Sequence, residues 1–345
     1  MKWISDQRLD HLRTIVADPD FSSTKYTLIK ELARGGMGTV YLAKDVELDR
    51  QVAIKVLNIA DVNDDTRRRM IREARIIARL EHPGIVPVHD VGTLPDDRVF
   101  YAMKFVRGSR LDEYIAENPP LRDRLRKFQA ACDAVAFAHA HNVIHRDLKP
   151  QNIMTGSFGE VLVLDWGIAK ILSERVTDAS EADTLRLSPN TKNNADEFGD
   201  TVHGTIIGTR RYMSPEQARG EVKQLDARSD VYSLGSVFYF LLTDRAPAES
   251  DGESTVSPKS LNPKITKAAD AVCRKAMSLN PANRYSTAAE LSADIGRLLD
   301  AEPVSAYREN VFEKAGRWVG KNRFLLLLVL AYLLMRIFFI FTSRR

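Results

Sequence analysis

Four charged or titratable side chains, His145, Arg146, Asp147 and Lys149, fall within the stretch VIHRDLKPQNIM (residues 143–154), between apolar pairs that ask to be buried. A second stretch, VLVLDWGIAK (161–170), runs an apolar strand into Asp165, followed by Trp166 and Gly167. A carboxylate at a strand terminus is placed to bind a metal. Asn152, thirteen positions earlier, offers a second oxygen ligand, and oxygen-only ligation suits Mg²⁺ with substrate phosphates completing the shell. Asp147 is then the spare acid, able to orient a hydroxyl and take its proton, while Lys149 offsets the charge of a transferring phosphoryl group. Taken singly, each acid reads equally well as a cap or turn residue; the set points to one site.

Upstream, ARGGMGTVYLAK carries glycines at 35, 36 and 38. Without a Cβ, backbone N–H groups can approach a polyanion closely, so a hairpin with this tip can cover phosphates; by itself such a cluster is more often a tight turn. Lys55 follows on a strand beside apolar Ala53, Ile54 and Val56. An ammonium pointing into a partly buried space needs a negative partner, which Glu73 on the next helix can supply. A solvated Lys and Glu are the competing reading for that pair alone.

These residues require elements to hold them. From Tyr26 to about Val106 the chain reads as short strands around one helix: TVYLAKD, a turn at VELDR, QVAIKVL, and VFYAMKFV are strand-like. RRRMIREARIIARLEHP reads as a helix that stops near Pro83, with Met70, Ala74 and Ile77 on one apolar face. From Leu111 helices dominate, and Leu121, Leu125, Phe128, Cys132 and Val135 form a stripe that ends near Asn142. Residues 173–203 have little periodicity and an acidic excess, and read as a loop. The expectation is an α+β chain, a small sheet-rich lobe before a larger helical one.

The 345 residues are 44% hydrophobic and 28% charged, enough to bury a large core in two domains or one bilobal unit. A net charge of +4, spread along the chain, shows no clustered basic footprint, which argues against nucleic acid as a partner. Cys132 and Cys273 lack metal-type or CxxC spacing and read as core thiols in a reducing compartment. The N-terminus lacks the apolar run of a secretory signal. Residues 324–341, FLLLLVLAYLLMRIFFIF, are apolar except for Arg336, and as a helix would reach roughly 27 Å, the thickness of a bilayer's hydrocarbon core. Arg308, Lys314, Arg317, Lys321 and Arg323 precede that stretch and two basic residues, Arg344 and Arg345, follow it. The expected arrangement is a single-pass membrane protein with its N-terminal bulk on the cytoplasmic side.

The series GGMGTVY, VAIK, a helix Glu, HRDLKPQN, LDWG, GTRRYMSPEQ and DVYSLG, in that order over about residues 26–300, resembles the eukaryotic-like Ser/Thr protein kinases, particularly their bacterial members. The resemblance implies a bilobal protein-kinase fold, ATP and Mg²⁺ as cofactors, and Ser/Thr hydroxyls of proteins as substrates. By it, Asp147 is the catalytic base and Lys149 its companion, Lys55 pairs the ATP phosphates and Glu73, and Asn152 and Asp165 hold the metal. Ala33, Arg34, Gly35, Gly36, Met37, Gly38, Val40 and Ala53 would surround the nucleotide, Met103 would be the gatekeeper, and Lys104 and Val106 would meet adenine through the backbone. It implies further that Arg146 meets a phosphorylated loop, and the expected acceptors are Thr201, Thr205 or other Ser and Thr of that loop. Thr209 would shape the peptide site, Glu216 and Arg284 would form a buried pair, and Asp230 would brace the catalytic loop.

Three departures stand out: Ala33 replaces the first glycine of the phosphate loop, Trp166 the usual Phe, and SPE the usual APE. None removes a charged catalytic group. The resulting division is an N-terminal extension (1–25), N-lobe (26–106), C-lobe (107–303), basic juxtamembrane segment (304–323), transmembrane helix (324–341) and short tail (342–345). Partners implied are ATP, protein substrates, the lipid bilayer and, without any specifying pattern, a homodimer. The rival reading is an inactive pseudokinase scaffold at the membrane, which the loss of Lys55, Asp147, Asn152 or Asp165 would have favoured. In the N-terminal extension Leu9, Leu12 and Val16 are spaced to form a short apolar face.

Overall fold

The computed structural model describes residues 19–35, 38–57, 71–72, 74–166, 170–171, 210–221, 224–248 and 255–342, with side chains at 170–171, 320–321, 323–325, 337–338 and 340–342 left out. The readings at Gly36, Met37, Met70, Glu73, Gly167, Thr201, Thr205, Thr209, the 173–203 loop and the 1–18 extension lie outside these residues.

β1 (Tyr26–Gly35), β2 (Gly38–Asp45), β3 (Arg50–Leu57), β4 (Val88–Thr93) and β5 (Val99–Lys104) form an antiparallel five-stranded sheet in the order β1-β2-β3-β5-β4. The β2–β3 connection turns because Asp45 Oδ1 accepts the Leu48 N–H at 3.2 Å and Asp49 adopts φ 48°, a left-handed conformation that Asp tolerates. Alternation then assigns the two faces. Phe21, Tyr26, Tyr41, Val52, Ile54, Val56, Phe100 and Ala102 make one small core, with Phe21 and Tyr26 edge-on to Phe100 at 5.3 and 5.9 Å. The opposite face carries Val40, Ala53, Lys55, Tyr101 and Met103, since Val40 pairs with Lys55, Lys55 with Tyr101 and Ala53 with Met103.

Residues 71–72 and 74–78 are helical (α1). Ala74 and Ile77 are buried as expected, but the helix ends several residues before Pro83. The chain tightens there through Arg79 N–H to Ile76 O and Leu80 N–H to Ile77 O, and His82 is turned out of helix by accepting the Gly84 N–H on Nδ1.

The second lobe contains α2 (Leu111–Ala116), α3 (Leu121–Ala140), α4 (Pro215–Ala218), α5 (Ala227–Thr243), α6 (Pro258–Leu261), α7 (Lys267–Ala276) and α8 (Ala288–Leu299). Its small strands are β6 (Gly108–Arg110), β7 (Val143–Ile144), β8 (Ile153–Gly156), β9 (Val161–Val163) and β10 (Lys170–Ile171). The α3 stripe is buried at Leu125, Phe128, Cys132 and Val135, and Phe128 stacks on Phe238 of α5 at 5.2 Å. Leu121 is the exception: at the first helical position, it is exposed. The core extends past residue 303, with Val304 buried and Asp294 Oδ1 and Oδ2 accepting from the backbone of Ser305 and Ala306.

Two helices close the chain, α9 (Val311–Lys321) and α10 (Arg323–Thr342). α10 covers the apolar stretch expected to span a bilayer, and its residues 327–336 are all exposed. Among the described residues no helix is long and apolar enough to cross a membrane, so the span expected at 324–341 is not shown.

Candidate active site

The catalytic loop lies between β7 and the 3₁₀ turn Pro150–Asn152. Its backbone is held by one carboxylate in the first turn of α5: Asp230 accepts the N–H of His145 at 2.7 Å and of Arg146 at 2.8 Å, and pairs with His139 Nε2 at 2.8 Å. Asp230 is fully buried, which alone would push its carboxyl pKa up; the His139 hydrogen bond and the His145 N–H prevail and hold it below the usual carboxylate range. The brace expected at Asp230 is therefore present as geometry.

His145 links this loop to the next strand. Its Nδ1 accepts the Asp147 N–H at 3.2 Å, so Nε2 carries the proton and donates to Leu164 O at 2.8 Å. Its ring lies 4.7 Å from that of Trp166, whose Nε1 donates to Val163 O at 3.2 Å. The larger ring at 166 is fully buried with its polar edge satisfied. Sequence reasoning counted His145 only as one more charge; its tautomer depends on neighbours distant in the chain, and no spacing announces it.

β8 and β9 pair with Ile153 opposite Val163, and Leu164 N–H donates to Asn152 O at 2.8 Å. That register sets Asn152 and Asp165 at the same end of a hairpin. Asp165 lies two residues beyond β9, not at its last position, in a left-handed conformation with φ 54°. Such a conformation costs a non-glycine residue roughly 1–2 kcal/mol, and it breaks the strand so that the carboxylate can turn toward β3. There Lys55 Nζ lies 3.1 Å from Asp165 Oδ1 and 5.9 Å above the Tyr101 ring. Burial would raise the Asp165 pKa, but Lys55 dominates and lowers it. Asn152 Nδ2 donates to Asp147 O at 2.8 Å and Oδ2 at 3.0 Å, and Lys149 Nζ lies 3.0 Å from Asp147 Oδ2.

The structure thus brings together Lys55 with Asp165, and Asp147 with Lys149 and Asn152. Because the Asn152 amide spends its N–H on Asp147, its Oδ1 is left as an acceptor, which together with Asp165 is the hard oxygen pair that Mg²⁺ favours. Among the described residues no group of three or more His, Cys, Asp or Glu is gathered to hold a metal. A two-ligand set of this kind relies on phosphate oxygens for the rest of the shell.

Of the residues expected around a nucleotide, Val40, Ala53 and Met103 fall on the sheet face already described. Met103 and Val106 are buried, and Lys104 N–H donates to Pro87 O at 3.0 Å, so an adenine contact at Lys104 falls to its carbonyl. In the β1–β2 hairpin Ala33 pairs with Val40, Arg34 with Thr39 and Gly35 with Gly38. A Cβ at Gly38 would stand 2.3 Å from Val56 O, so glycine there is required by the neighbouring strand as well as by any phosphate. Arg34 is exposed and paired with Glu31 at 2.8 Å.

Arg146 has φ 68°. Its carbonyl accepts from Gln217 Nε2 at 2.7 Å, while its Nε and Nη2 are buried without a hydrogen-bond partner among the described residues. Burial pulls the guanidinium pKa down, with Asp230 opposing. Glu216 and Arg284 form a buried bidentate pair at 2.7 and 2.9 Å, closed by the Ser229 hydroxyl donating to Glu216 Oε1 at 2.8 Å.

The protein kinase domain model matches residues 26–301. The chain is 35% identical over 306 residues to the serine/threonine-protein kinase PrkC of Bacillus subtilis, covering 84% of this chain and 43% of that protein. It is 39% identical over 307 residues to PknB of Mycolicibacterium smegmatis, with 84% and 45% covered. It thus spans less than half the length of these curated relatives. Among solved structures, the Mycobacterium tuberculosis PknI kinase domain superimposes with a TM-score of 0.59 at 25% identity, covering 79% of this chain and 96% of that one. A strand-rich lobe on a helical lobe, a braced HRDLKPQN loop and a match that runs through both lobes lead to one conclusion: the chain belongs to the protein kinase family, among the Ser/Thr protein kinases of bacterial type.

Proposed function

We propose that the chain is an active, ATP- and Mg²⁺-dependent protein-serine/threonine kinase, anchored in a membrane by α10 with its catalytic lobes on the cytoplasmic side. The observation that carries the catalytic part is the contact set Lys55–Asp165 and Lys149–Asp147–Asn152, in which each side chain is oriented by another. Mg²⁺ with ATP would supply charge neutralisation of the phosphates, held by Asn152 and Asp165. Lys55 positions the phosphate chain against the sheet face, Asp147 orients the substrate hydroxyl and takes its proton, and Lys149 offsets charge on the moving phosphoryl group. Val40, Ala53 and Met103 enclose the base, while Lys104 and Val106 meet its polar edge. This arrangement favours catalysis over a scaffold role, since a pseudokinase has no need of an acid held between a lysine and an amide.

Arg146 supports a regulatory reading. Its Nε and Nη2, without a hydrogen-bond partner among the described residues, suit a phosphate on the loop that precedes Tyr212, added by autophosphorylation with Thr201, Thr205 or another Ser or Thr of that loop as acceptor. The membrane reading rests on α10, whose described Leu, Val, Met and Tyr side chains are exposed on all sides, a surface that hydrocarbon covers and water does not. Basic residues ahead of it favour a reading with the lobes inside. The division into extension, two lobes, basic segment, span and tail is proposed with it.

The test is incubation of the full chain, reconstituted in vesicles, with Mg²⁺ and labelled ATP beside Asp147→Asn. Label on the wild-type chain or an added protein, absent from the variant, is expected. Equal labelling of both, or of neither, rejects the enzyme reading.

A further inference from the structure

α9 is built inside out. Its polar residue Glu313 points at the kinase lobe, where Lys267 Nζ of α7 lies 2.7 Å from Glu313 Oε1 and the Tyr307 hydroxyl donates to Glu313 Oε2 at 2.9 Å; Arg317, one turn on, folds back on the segment ahead of α9, its Nη2 pairing with Glu309 at 2.7 Å. Its apolar residues face away, with Val311 79%, Phe312 87%, Trp318 58% and Val319 49% exposed. A helix on a water-soluble surface does the reverse, burying its apolar stripe and exposing its charges. Four large apolar side chains on one exposed face are a surface waiting for cover.

Resting on the reading of α10 as a membrane span, we propose that α9 is a membrane-contact helix whose Val311, Phe312, Trp318 and Val319 face enters the bilayer interface while Glu313 on its other side holds the kinase C-lobe. Three observations select lipid as the occupant. α10 begins one residue after α9 ends, with Asn322 N–H donating to Trp318 O and Leu326 N–H to Asn322 O, both at 3.0 Å, so α9 is tethered at the surface that α10 enters. Lys314 is exposed on α9 and Arg323 opens α10, a cationic border suited to anionic headgroups. Trp318 sits on the last full turn before the junction, where an amphipathic ring favours the headgroup level.

The consequence is mechanical. Asp294 fixes Ser305 and Ala306 to α8, and Glu313 fixes α9 to α7, so a lipid-bound α9 sets how the C-lobe stands against the membrane.

The experiment uses the full chain in vesicles of phosphatidylcholine and phosphatidylglycerol, labelled with an environment-sensitive fluorophore at Phe312→Cys, Val319→Cys, Lys314→Cys or Leu330→Cys, one at a time. The native Cys132 and Cys273 are fully buried, so label enters at the new thiol. Blue-shifted emission at 312 and 319, quenched by lipids brominated near the headgroup, with 314 unshifted, is the expected result. If 330 is quenched by lipid but 312 and 319 report water, α9 does not touch lipid and the inference falls while the span stands. If 330 is not quenched either, the membrane reading itself fails. Blue-shifted but unquenched labels at 312 and 319 mean protein cover, from a second copy or another segment, and also overturn it.

Discussion

Lys55 is described beside Asp165, and that contact shows how far single residues can be read. The sequence offered Glu73 as a partner for Lys55, beside the alternative of a solvated pair, and gave no sign of Asp165; the ammonium is only 12% exposed and meets Asp165 through the left-handed turn there. Lys55→Met is expected to lower phosphoryl transfer roughly 10²–10³-fold, the cost of losing one preorganised charge on a developing transition state, while leaving the fold's thermal midpoint near the wild type. Turnover of a Ser/Thr protein substrate measures it, and unchanged turnover would remove Lys55 from the chemistry. The two cysteines give a second test at this scale. Both are fully buried, and burial pushes the Cys132 and Cys273 thiols up from their ordinary pKa. The folded chain is therefore expected to resist maleimide until denaturant opens it, and labelling in native buffer at the rate of a free thiol would contradict the packing.

The elements that carry these residues were legible where one rule acted alone. β-Branched and aromatic residues marked β2, β3 and β5 as strands, and of the five residues in the stripe on α3 four are buried, Leu121 at the first helical position being exposed. The end of α1 was misjudged because a proline bounds a helix without saying how early a 3₁₀ turn and a His side chain will end it. The apolar side of α9 was invisible for a different reason: a basic segment reads as a charged linker until the structure shows which of its charges are turned inward.

One element joins the site to the core, since Asp230 on α5 satisfies His139 and the N–H groups of His145 and Arg146. Each buried donor left without an acceptor costs about 1–3 kcal/mol, so Asp230→Ala is expected to destabilise the chain by at least about 2 kcal/mol. Activity should fall further than stability explains, because the loop bearing Asp147 loses its support. Urea denaturation beside turnover at a temperature where both variants remain folded separates the two effects; an active, equally stable variant would show that the brace is redundant.

At the scale of the whole molecule, stability is tied to carboxylates buried in the helical lobe. Glu216 is pulled down to about 2: burial opposes its charge, and the Arg284 hydrogen bonds overcome that opposition. Asp230 and Asp294 are lowered likewise against burial, by hydrogen bonds from His139 and from Ser305 respectively. The sign follows from linkage. A carboxyl whose folded pKa lies below its unfolded value adds stability at pH above the unfolded value, and that stability drains away as pH falls through the folded one. The unfolded Glu value is about 4.3, so the contribution of Glu216 is complete above it and lost progressively down to about pH 2. Glu216→Gln leaves Arg284 buried without its charge partner, a loss typically about 3–5 kcal/mol. At neutral pH the variant should therefore unfold at much lower denaturant concentration than the wild type. As the medium is acidified the two midpoints should approach each other, because below about pH 4.3 the unfolded wild-type chain takes up a proton at Glu216 that the folded chain does not accept until about pH 2. A gap that stays constant from pH 7 to pH 3 would mean that Glu216 acts through packing, and that the charge of this pair contributes nothing to holding the lobe together.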